Sequence, residues 1–305
     1  IQSQRSPGSA IKPLVAYAPA VAAGWSINKE LDNQTTNYNG YSLENYIGTT
    51  SEPVPMYQAL AQSLNLPAVY AVNELGINRA FEYGKKFGLN MDSVDRVLGV
   101  ALGSGVSTNP LQMAQAYSAF ANGGVMQDAH LISRIETANG KVLASHKGSS
   151  KRVIDQAVAD KMTSMMLGTF TNGTGYSADV YGYDIAGKTG TTETSFDVNL
   201  INDQWIIGYT PDLVISQWVG YEKTDENHYI DGSTSWMAPV VFQTVAGSLL
   251  PQTKNTGFTV KNAYALNGLD TTNPTTPQVP ANEIEDKVNY WTDRAQELLD
   301  QTQKN

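Results

Sequence analysis

The motif that decides the predictions for this chain is Gly187-Lys188-Thr189-Gly190-Thr191-Thr192, which lies within a strand-like run, residues 183–192. Chance predicts about 0.1 copies of Lys-Thr-Gly in a sequence of this length. Glycine inside a strand lets a ligand or another backbone come close. Lys188 adds a positive charge, and the hydroxyls of Thr189 and Thr191 can donate hydrogen bonds to a carboxylate. The stretch therefore predicts a strand that faces an anionic group.

Two more strand-like runs follow, residues 204–210 and 213–221, joined at Pro211-Asp212. The three runs predict an antiparallel meander. A helix is expected before it, over residues 155–167. Another is expected after it, over residues 236–250, where it would cover the sheet.

The part of the chain before this sheet has helical signals. Thr108-Asn109 precedes Pro110, which predicts a capped helix start with proline at the first position. Residues 25–55 predict a long irregular connection, and residues 15–24 a buried helix that Pro19 ends or kinks. Further helices are expected at 56–64, 66–75, 77–87 and 111–121, and a hairpin at 130–136 and 141–145.

The composition limits the partners, metal sites and catalytic groups that the chain can have. The chain has 305 residues, no cysteine, three histidines and a net charge of −9. The acidic balance argues against a nucleic-acid partner, and the lack of cysteine excludes disulfides, thiol nucleophiles and Cys-ligated metals. His130, His146 and His228 are interpreted as too scattered for a metal site. Catalysis is therefore expected to rely on hydroxyl, amine and carboxylate groups.

Two hydroxyl-containing motifs precede the strand. In Ser9-Ala10-Ile11-Lys12, positions i and i+3 share a helix face, so a lysine with a lowered pKa could take the serine proton. Chance predicts about one such pair, and Ser26-Ile27-Asn28-Lys29 is a second one. Ser63-Leu64-Asn65 could present a hydroxyl and an amide to the same site. Each motif is weak alone.

The order of the three motifs along the chain is specific to one group of proteins. Ser-x-x-Lys, then Ser-x-Asn, then Lys-Thr-Gly is the set of penicillin-binding proteins and class A β-lactamases. The chain resembles the transpeptidase domain of a class A, bifunctional penicillin-binding protein of Gram-positive type over about residues 1–250. The resemblance implies an α+β fold: an antiparallel sheet flanked by helices plus a mostly helical subdomain, as in serine β-lactamases and D,D-peptidases.

The resemblance also implies roles. Ser9 would be the acylated nucleophile, Lys12 its base, Ser63 a proton relay, and Lys188 the group that keeps Lys12 neutral and attracts the substrate carboxylate. Asn65, Thr189, Gly190 and Thr191 would bind substrate, and the backbone N–H groups of Ser9 and Thr191 would form the oxyanion hole. The implied partners are peptidoglycan stem peptides and β-lactam antibiotics, with no cofactor and no metal.

One departure from the family's motifs concerns hydrolysis of the acyl-enzyme. Ser63-Leu64-Asn65 lacks an acidic central residue, and the nearest segment to Glu-x-x-Leu-Asn is Lys86-Phe87-Gly88-Leu89-Asn90. Class A β-lactamases use such a glutamate for deacylation. We therefore expect slow β-lactam hydrolysis. The motifs leave open a transpeptidase, a hydrolase (carboxypeptidase or β-lactamase) and an inert β-lactam-sensing or wall-binding module.

A second departure is the position of Ser9, eight residues from the start. The family places strands and a helix before its nucleophile, so we expect a fragment whose N-terminal strands are supplied elsewhere, by another chain or a preceding segment. The resemblance implies an N-terminal membrane anchor, a glycosyltransferase domain and a location outside the cytoplasmic membrane. The transpeptidase domain is assigned to residues 1–266, a Pro/Thr-rich linker to 267–282 and a helical tail to 283–305.

Overall fold

A computed structural model describes residues 3–38, 40–42, 44–45, 52–231 and 237–266. Its strands are β1 (Glu30–Leu31), β2 (Val54–Pro55), β3 (Val125–Gln127), β4 (Arg134–Glu136), β5 (Val142–Ser145), β6 (Ser150–Arg152), β7 (Ala186–Glu193), β8 (Ile201–Tyr209) and β9 (Val214–Gly220). Its α-helices are α1 (Ala18–Ala22), α2 (Met56–Ala61), α3 (Asn65–Leu75), α4 (Ile77–Lys86), α5 (Pro110–Ala121), α6 (Gln156–Thr171) and α7 (Met237–Leu249). Shorter 3₁₀ helices are Gly8–Ile11, Leu98–Leu102, Tyr176–Ala178 and Leu250–Gln252, and Pro13–Tyr17 forms a π-helix.

The predicted antiparallel meander is confirmed as the sheet β7-β8-β9. Side chains alternate between the faces of a strand, so β8 contributes to two cores. Trp205 and Ile207 belong to the larger core, which contains residues of α5 and α6, whereas Ile206 packs with Phe242 of α7 in the smaller one. Helices thus flank both faces of the sheet, and the α+β prediction is confirmed.

The helical block is also confirmed, with boundaries close to those predicted. At the start of α5, the Asn109 side chain accepts a hydrogen bond from the Gln112 backbone N–H at 2.9 Å, and Pro110 is the first helical residue. Proline is tolerated there because that N–H has no partner within a helix. Local signals therefore determine this boundary.

Of the two predicted effects of Pro19, ending the helix is wrong, because the helix continues to Ala22; kinking it stays a prediction. A π-helix covers Pro13–Tyr17, α1 begins at Ala18, and Pro19 occupies the second position of α1. The helical run passes from the π-helix into α1 without a break, and Pro19 has no N–H to donate to the preceding turn. All five residues of the π-helix are buried.

Among the described residues, three small antiparallel ladders lie outside the three-stranded sheet: β1 with β2, β3 with β6, and β4 with β5. None of the described helices is long and apolar enough to cross a bilayer. The chain divides into two units, residues 1–269 and 270–305, and the described residues all lie in the first. The predicted linker at 267–282 and the predicted tail helix lie outside the described residues.

Candidate active site

The Ser9 turn is a 3₁₀ helix. The backbone N–H of Lys12 donates to the Ser9 carbonyl, closing an i to i+3 bond at the end of Gly8–Ile11. Pro13 has no N–H with which to make the i to i+4 bond to that same carbonyl, which favours the tighter turn. Side chains three residues apart eclipse in an ideal 3₁₀ helix, so this turn places Ser9 and Lys12 on the same face.

Buried aromatic residues hold this turn in place. Tyr117 of α5 donates its hydroxyl to the Ala10 carbonyl at 2.7 Å, and Trp205 of β8 donates its indole N–H to the Ser6 carbonyl at 2.9 Å. Both rings are almost completely buried. The turn is thus fixed to a core helix and to the central strand.

The Lys12 ammonium nitrogen lies inside the second motif. Its Nζ is 2.7 Å from the Ser63 carbonyl oxygen, 2.8 Å from Asn65 Oδ1, 3.1 Å from the Leu64 carbonyl oxygen and 3.4 Å from Ser63 Oγ. A protonated lysine has three N–H donors and a neutral one has two donors and a lone pair. Three carbonyl-type oxygens can therefore satisfy the charged form completely, while the neutral form keeps a lone pair for a hydroxyl proton.

The electrostatics favour the neutral form of Lys12. Its side chain is fully buried, and burial lowers the pKa well below the ordinary value of 10.5, with the charge of Lys188 adding a smaller effect in the same direction. Burial also lowers the pKa of Lys188, to about 7. Like-charge proximity was the predicted cause; it is present, but desolvation is larger.

Ser63 has a backbone conformation that non-glycine residues rarely adopt, with φ of 57°. Left-handed residues of this kind persist where the surrounding structure holds them, and they cluster at functional sites. Asn45 holds the next residues, accepting the backbone N–H groups of Asn65 and Leu66 at 2.8 and 3.0 Å. Asn65 donates its Nδ2 to the Glu44 carbonyl.

Asn45 was not predicted from the sequence. It lies in the irregular connection, 20 positions before Asn65, and it is buried. Its Nδ2 donates to Asn33 Oδ1 at 2.7 Å, so the connection itself supports the Ser63 motif. An asparagine in a polar loop carries no distinguishing local signal.

The β7 strand lies directly against the Ser9 turn, and two glycines permit this approach. A β-carbon on Gly190 would lie 2.5 Å from the Pro7 carbonyl oxygen, and one on Gly8, at φ of +50°, would lie 2.5 Å from the Thr191 carbonyl oxygen. The backbones of Ser9 and Thr191 are thus neighbours. The expectation that glycine in this strand permits close backbone approach is confirmed.

Lys188 is fully buried and donates to the Thr189 carbonyl at 3.0 Å. The Thr189 hydroxyl is hydrogen-bonded to the Thr174 hydroxyl, and Thr191 is exposed. Thr174 was absent from the predicted site residues. The structure therefore brings the three motifs together and adds Thr174 beside them.

The prediction that the histidines are scattered is wrong for two of them. The ring centroids of His130 and His146 are 4.3 Å apart, and Asp128 lies beside both. The hairpin β4-β5 reverses the chain between them, which sequence separation alone does not show. His228 pairs with Asp225 instead.

Comparison with known proteins was made on sequence and on structure. Penicillin-binding protein 2a of Streptococcus pneumoniae is 61% identical over 99% of this chain, which spans 42% of that protein's length. Penicillin-binding protein 1F of Bacillus subtilis is 36% identical over 77% of this chain and 33% of its own length. The chain therefore spans less than half of these curated relatives.

Among solved structures, the penicillin-binding protein PonA1 of Mycobacterium tuberculosis has a TM-score of 0.73 at 25% identity, covering 91% of this chain and 77% of that one. The penicillin G acyl-enzyme complex of penicillin-binding protein A of M. tuberculosis shares the fold at 24% identity, with a TM-score of 0.67, covering 82% of this chain and 62% of that one. The family model of the penicillin-binding protein transpeptidase domain matches residues 1–245. The chain belongs to the family of penicillin-binding protein transpeptidase domains.

Proposed function

We propose that this chain is a serine D,D-transpeptidase that crosslinks peptidoglycan stem peptides through an acyl-enzyme on Ser9 and is acylated and inhibited by β-lactams. The observation that carries the proposal is the fully buried Lys12 amine, whose pKa burial lowers and whose position is one 3₁₀ turn from Ser9. A base with a lowered pKa is what a serine nucleophile needs when histidine is absent.

In the acylation step, Ser9 Oγ attacks the carbonyl carbon between two terminal D-Ala residues, and its proton passes to Lys12 Nζ. The backbone N–H groups of Ser9 and Thr191 hold the oxyanion; one such donor contributes about 3–4 kcal/mol in other acyl-transfer enzymes. The C–N bond then breaks. Lys12 returns the proton through Ser63 Oγ to the departing D-Ala amine.

In the second step, an acceptor amine attacks the acyl carbon and forms a C–N bond, the ester bond to Ser9 Oγ breaks, and the amine's proton follows the reverse path to Ser9 Oγ. Lys12, Ser63 and Asn65 already form one hydrogen-bonded group, which supports this path. Asn65 would hold the substrate's backbone amide. It would exchange its present contact with Glu44 for that amide when substrate binds.

The substrate carboxylate would bind along β7. The hydroxyls of Thr189 and Thr191 would donate to it, with Gly190 between them leaving room. Lys188 would supply positive charge from beneath, although its pKa of about 7 means that this charge is only partial at neutral pH. Thr174 would orient the Thr189 hydroxyl.

The first test is covalent labelling of the chain with a fluorescent penicillin. We expect one label per chain in the parent, none in Ser9→Ala, and full labelling in Ser26→Ala, the matched control from the second Ser-x-x-Lys pair. Labelling of Ser9→Ala at the parent rate would contradict the proposal. Such labelling would place the nucleophile at another residue, whereas a parent chain that takes no label would leave an inert binding or sensing module.

The second test separates transferase from hydrolase. A thioester substrate ending in a D-Ala analogue is supplied with and without an amine acceptor, and products are identified by mass. We expect aminolysis to increase with acceptor concentration at the expense of hydrolysis. A ratio of aminolysis to hydrolysis product that does not change with acceptor concentration would indicate a carboxypeptidase or a β-lactamase.

We also propose a class A, bifunctional parent protein of Gram-positive type. The 61% identity to a relative more than twice as long supports this assignment. The longer protein would carry a glycosyltransferase domain and a membrane anchor, and its transpeptidase site would face the wall outside the cytoplasmic membrane. Membrane fractionation and a glycan-polymerisation assay on the whole protein test it.

A further inference from the structure

A cluster of metal-ligating side chains lies outside the active site. Asp128, His130 and His146 each offer one ligand atom, and these atoms all lie within 4.8 Å of one another. We propose that these three residues form a binding site for a divalent transition-metal ion, with Zn²⁺ as the probe. The proposal is independent of the acyl-transfer function.

One ring nitrogen of His130 is held by the backbone. Its Nδ1 is 3.1 Å from the Asp128 backbone carbonyl oxygen, and a carbonyl only accepts, so Nδ1 carries the proton. This leaves the lone pair on Nε2. A histidine that donates its other N–H to a backbone carbonyl is the usual arrangement of a metal ligand, because the bond fixes both tautomer and ring plane.

The second histidine converges on the same carboxylate. His146 Nε2 lies 2.8 Å from Asp128 Oδ2, and the imidazole is 45% exposed, so an ion can reach it from solvent. A carboxylate only accepts, so Nε2 carries the proton in this contact; metal binding requires the neutral imidazole to hold its proton on Nδ1 instead and to give the Nε2 lone pair. Two imidazoles and one carboxylate, with water in the remaining position, suit Zn²⁺ and its neighbours. Mg²⁺ and Ca²⁺ prefer sites made of oxygen.

The backbone brings the ligands together from different ladders. Asp128 follows β3, and its N–H continues the β3-β6 ladder by donating to the Ser149 carbonyl at 2.8 Å. His146 follows β5, and its N–H continues the β4-β5 ladder to the Ser133 carbonyl at 2.9 Å. The Ala129 N–H donates to Gln115 of α5 at 3.0 Å, which anchors the Asp128 side to the core.

The position of the cluster gives the metal a mechanical effect. Every residue of β4 and β5 is exposed, so the hairpin has little apolar packing to hold it. An ion bridging Asp128 to His146 would fasten the hairpin to the anchored end of β3. We therefore expect the metal to restrict the motion of the hairpin.

Binding is tested on the tag-free 305-residue chain by competition against a chromophoric Zn²⁺ chelator. We expect one equivalent of Zn²⁺ per chain, unaffected by millimolar Mg²⁺. His130→Ala, His146→Ala and Asp128→Asn should each weaken binding at least about tenfold. His228→Ala is the matched control, because His228 also pairs with an aspartate but has no third ligand, and it should bind like the parent.

A second measurement reports the hairpin. Trypsin can cut at the exposed Arg134 and Lys141, and Zn²⁺ should slow these cuts in the parent and in His228→Ala but not in His146→Ala. Far-ultraviolet circular dichroism of each variant shows that it is folded, independently of the acyl-transfer function. The proposal is overturned if no stoichiometric Zn²⁺ binds, or if binding depends on His228 and not on His130 and His146; the cluster is then only a hydrogen-bonded His–Asp pair.

Discussion

Lys12 and Lys188 are both fully buried, and burying two amines in one site opposes folding. Desolvation lowers the pKa of each, so both shed charge at a pH where surface lysines keep it. The same shift that costs stability would make Lys12 the base that the proposed mechanism needs. At the scale of single residues, stability and reactivity are therefore in opposition.

Replacing Lys12 with methionine should abolish this base while keeping most of its volume. We expect the rate of acylation of Ser9 by a fluorescent penicillin to fall at least about 100-fold, because a positioned general base contributes about 10²–10⁴-fold. Lys29→Met is the control: its lysine belongs to the second Ser-x-x-Lys pair and its Nζ lies over Trp25. Equal acylation rates in the two variants would remove Lys12 from the mechanism.

Replacing Lys188 with methionine should change the pH dependence of stability. The pKa of Lys188 is about 7 in the folded chain against 10.5 ordinarily, so between these values the unfolded chain binds more protons and stability rises with pH. The full burial cost is present below pH 7. The slope is at most about 1.4 kcal/mol per pH unit for one group.

We therefore expect Lys188→Met to be more stable than the parent near pH 7, with the advantage shrinking as pH rises to 9.5. Urea unfolding at pH 7, 8, 9 and 9.5 measures it. Acylation by penicillin should fall in the same variant because the charge near the carboxylate is lost. A stability difference that does not vary over this range would show that Lys188 is not titrating there.

At the scale of elements, the site depends on close contact between the Ser9 turn and β7. Gly190→Ala would place a β-carbon 2.5 Å from the Pro7 carbonyl oxygen and 2.9 Å from the Ala10 nitrogen, both backbone atoms. The strand must move away, so we expect destabilisation of about 1–3 kcal/mol and at least a tenfold loss of acylation rate. Thermal unfolding and penicillin labelling measure the two effects.

The control for this substitution is Gly247→Ala in α7. Apart from its chain neighbours and the backbone of its own helix, no described atom lies within 4 Å of the added β-carbon there. Alanine is the better helix former, so stability should increase by up to about 1 kcal/mol with acylation unchanged. If Gly190→Ala acylates at the parent rate, the Ser9 turn and β7 do not need this contact.

The elements were predictable where the signal is local. The start of α5 follows from Asn109 and Pro110, and the turn between β8 and β9 follows from Pro211-Asp212. The π-helix at Pro13–Tyr17 was not predictable, because it depends on how the packed core accommodates a proline, which has no N–H. Helix starts and turns thus follow from the local sequence, whereas the type of helix depends on contacts within the core.

For the whole molecule, the three motifs were predictable as a set but their supports were not. Asn45 reaches Asn65 across 20 positions, Thr174 reaches Thr189 from another segment, and His146 meets His130 through a hairpin. Each pairing is created by the folded chain and leaves no mark in local spacing. Motifs identify the reacting groups, whereas the fold supplies the groups that orient them.

The same whole-molecule arrangement predicts a long-lived penicilloyl-enzyme. Of the described residues, those bonded to Lys12 Nζ offer carbonyl, amide and hydroxyl oxygens, and none is a carboxylate that could activate a water. A missing general base slows a step by about 10²–10⁴-fold. After a fluorescent-penicillin pulse and an unlabelled chase, we expect the label to stay on Ser9 for many minutes and the free site to be regenerated only slowly, with or without added glycine amide. Release of most label within a minute in buffer alone would show that another group activates water. That outcome would favour a β-lactamase over a transpeptidase, because the acyl-enzyme of a transpeptidase must resist hydrolysis until an acceptor amine arrives.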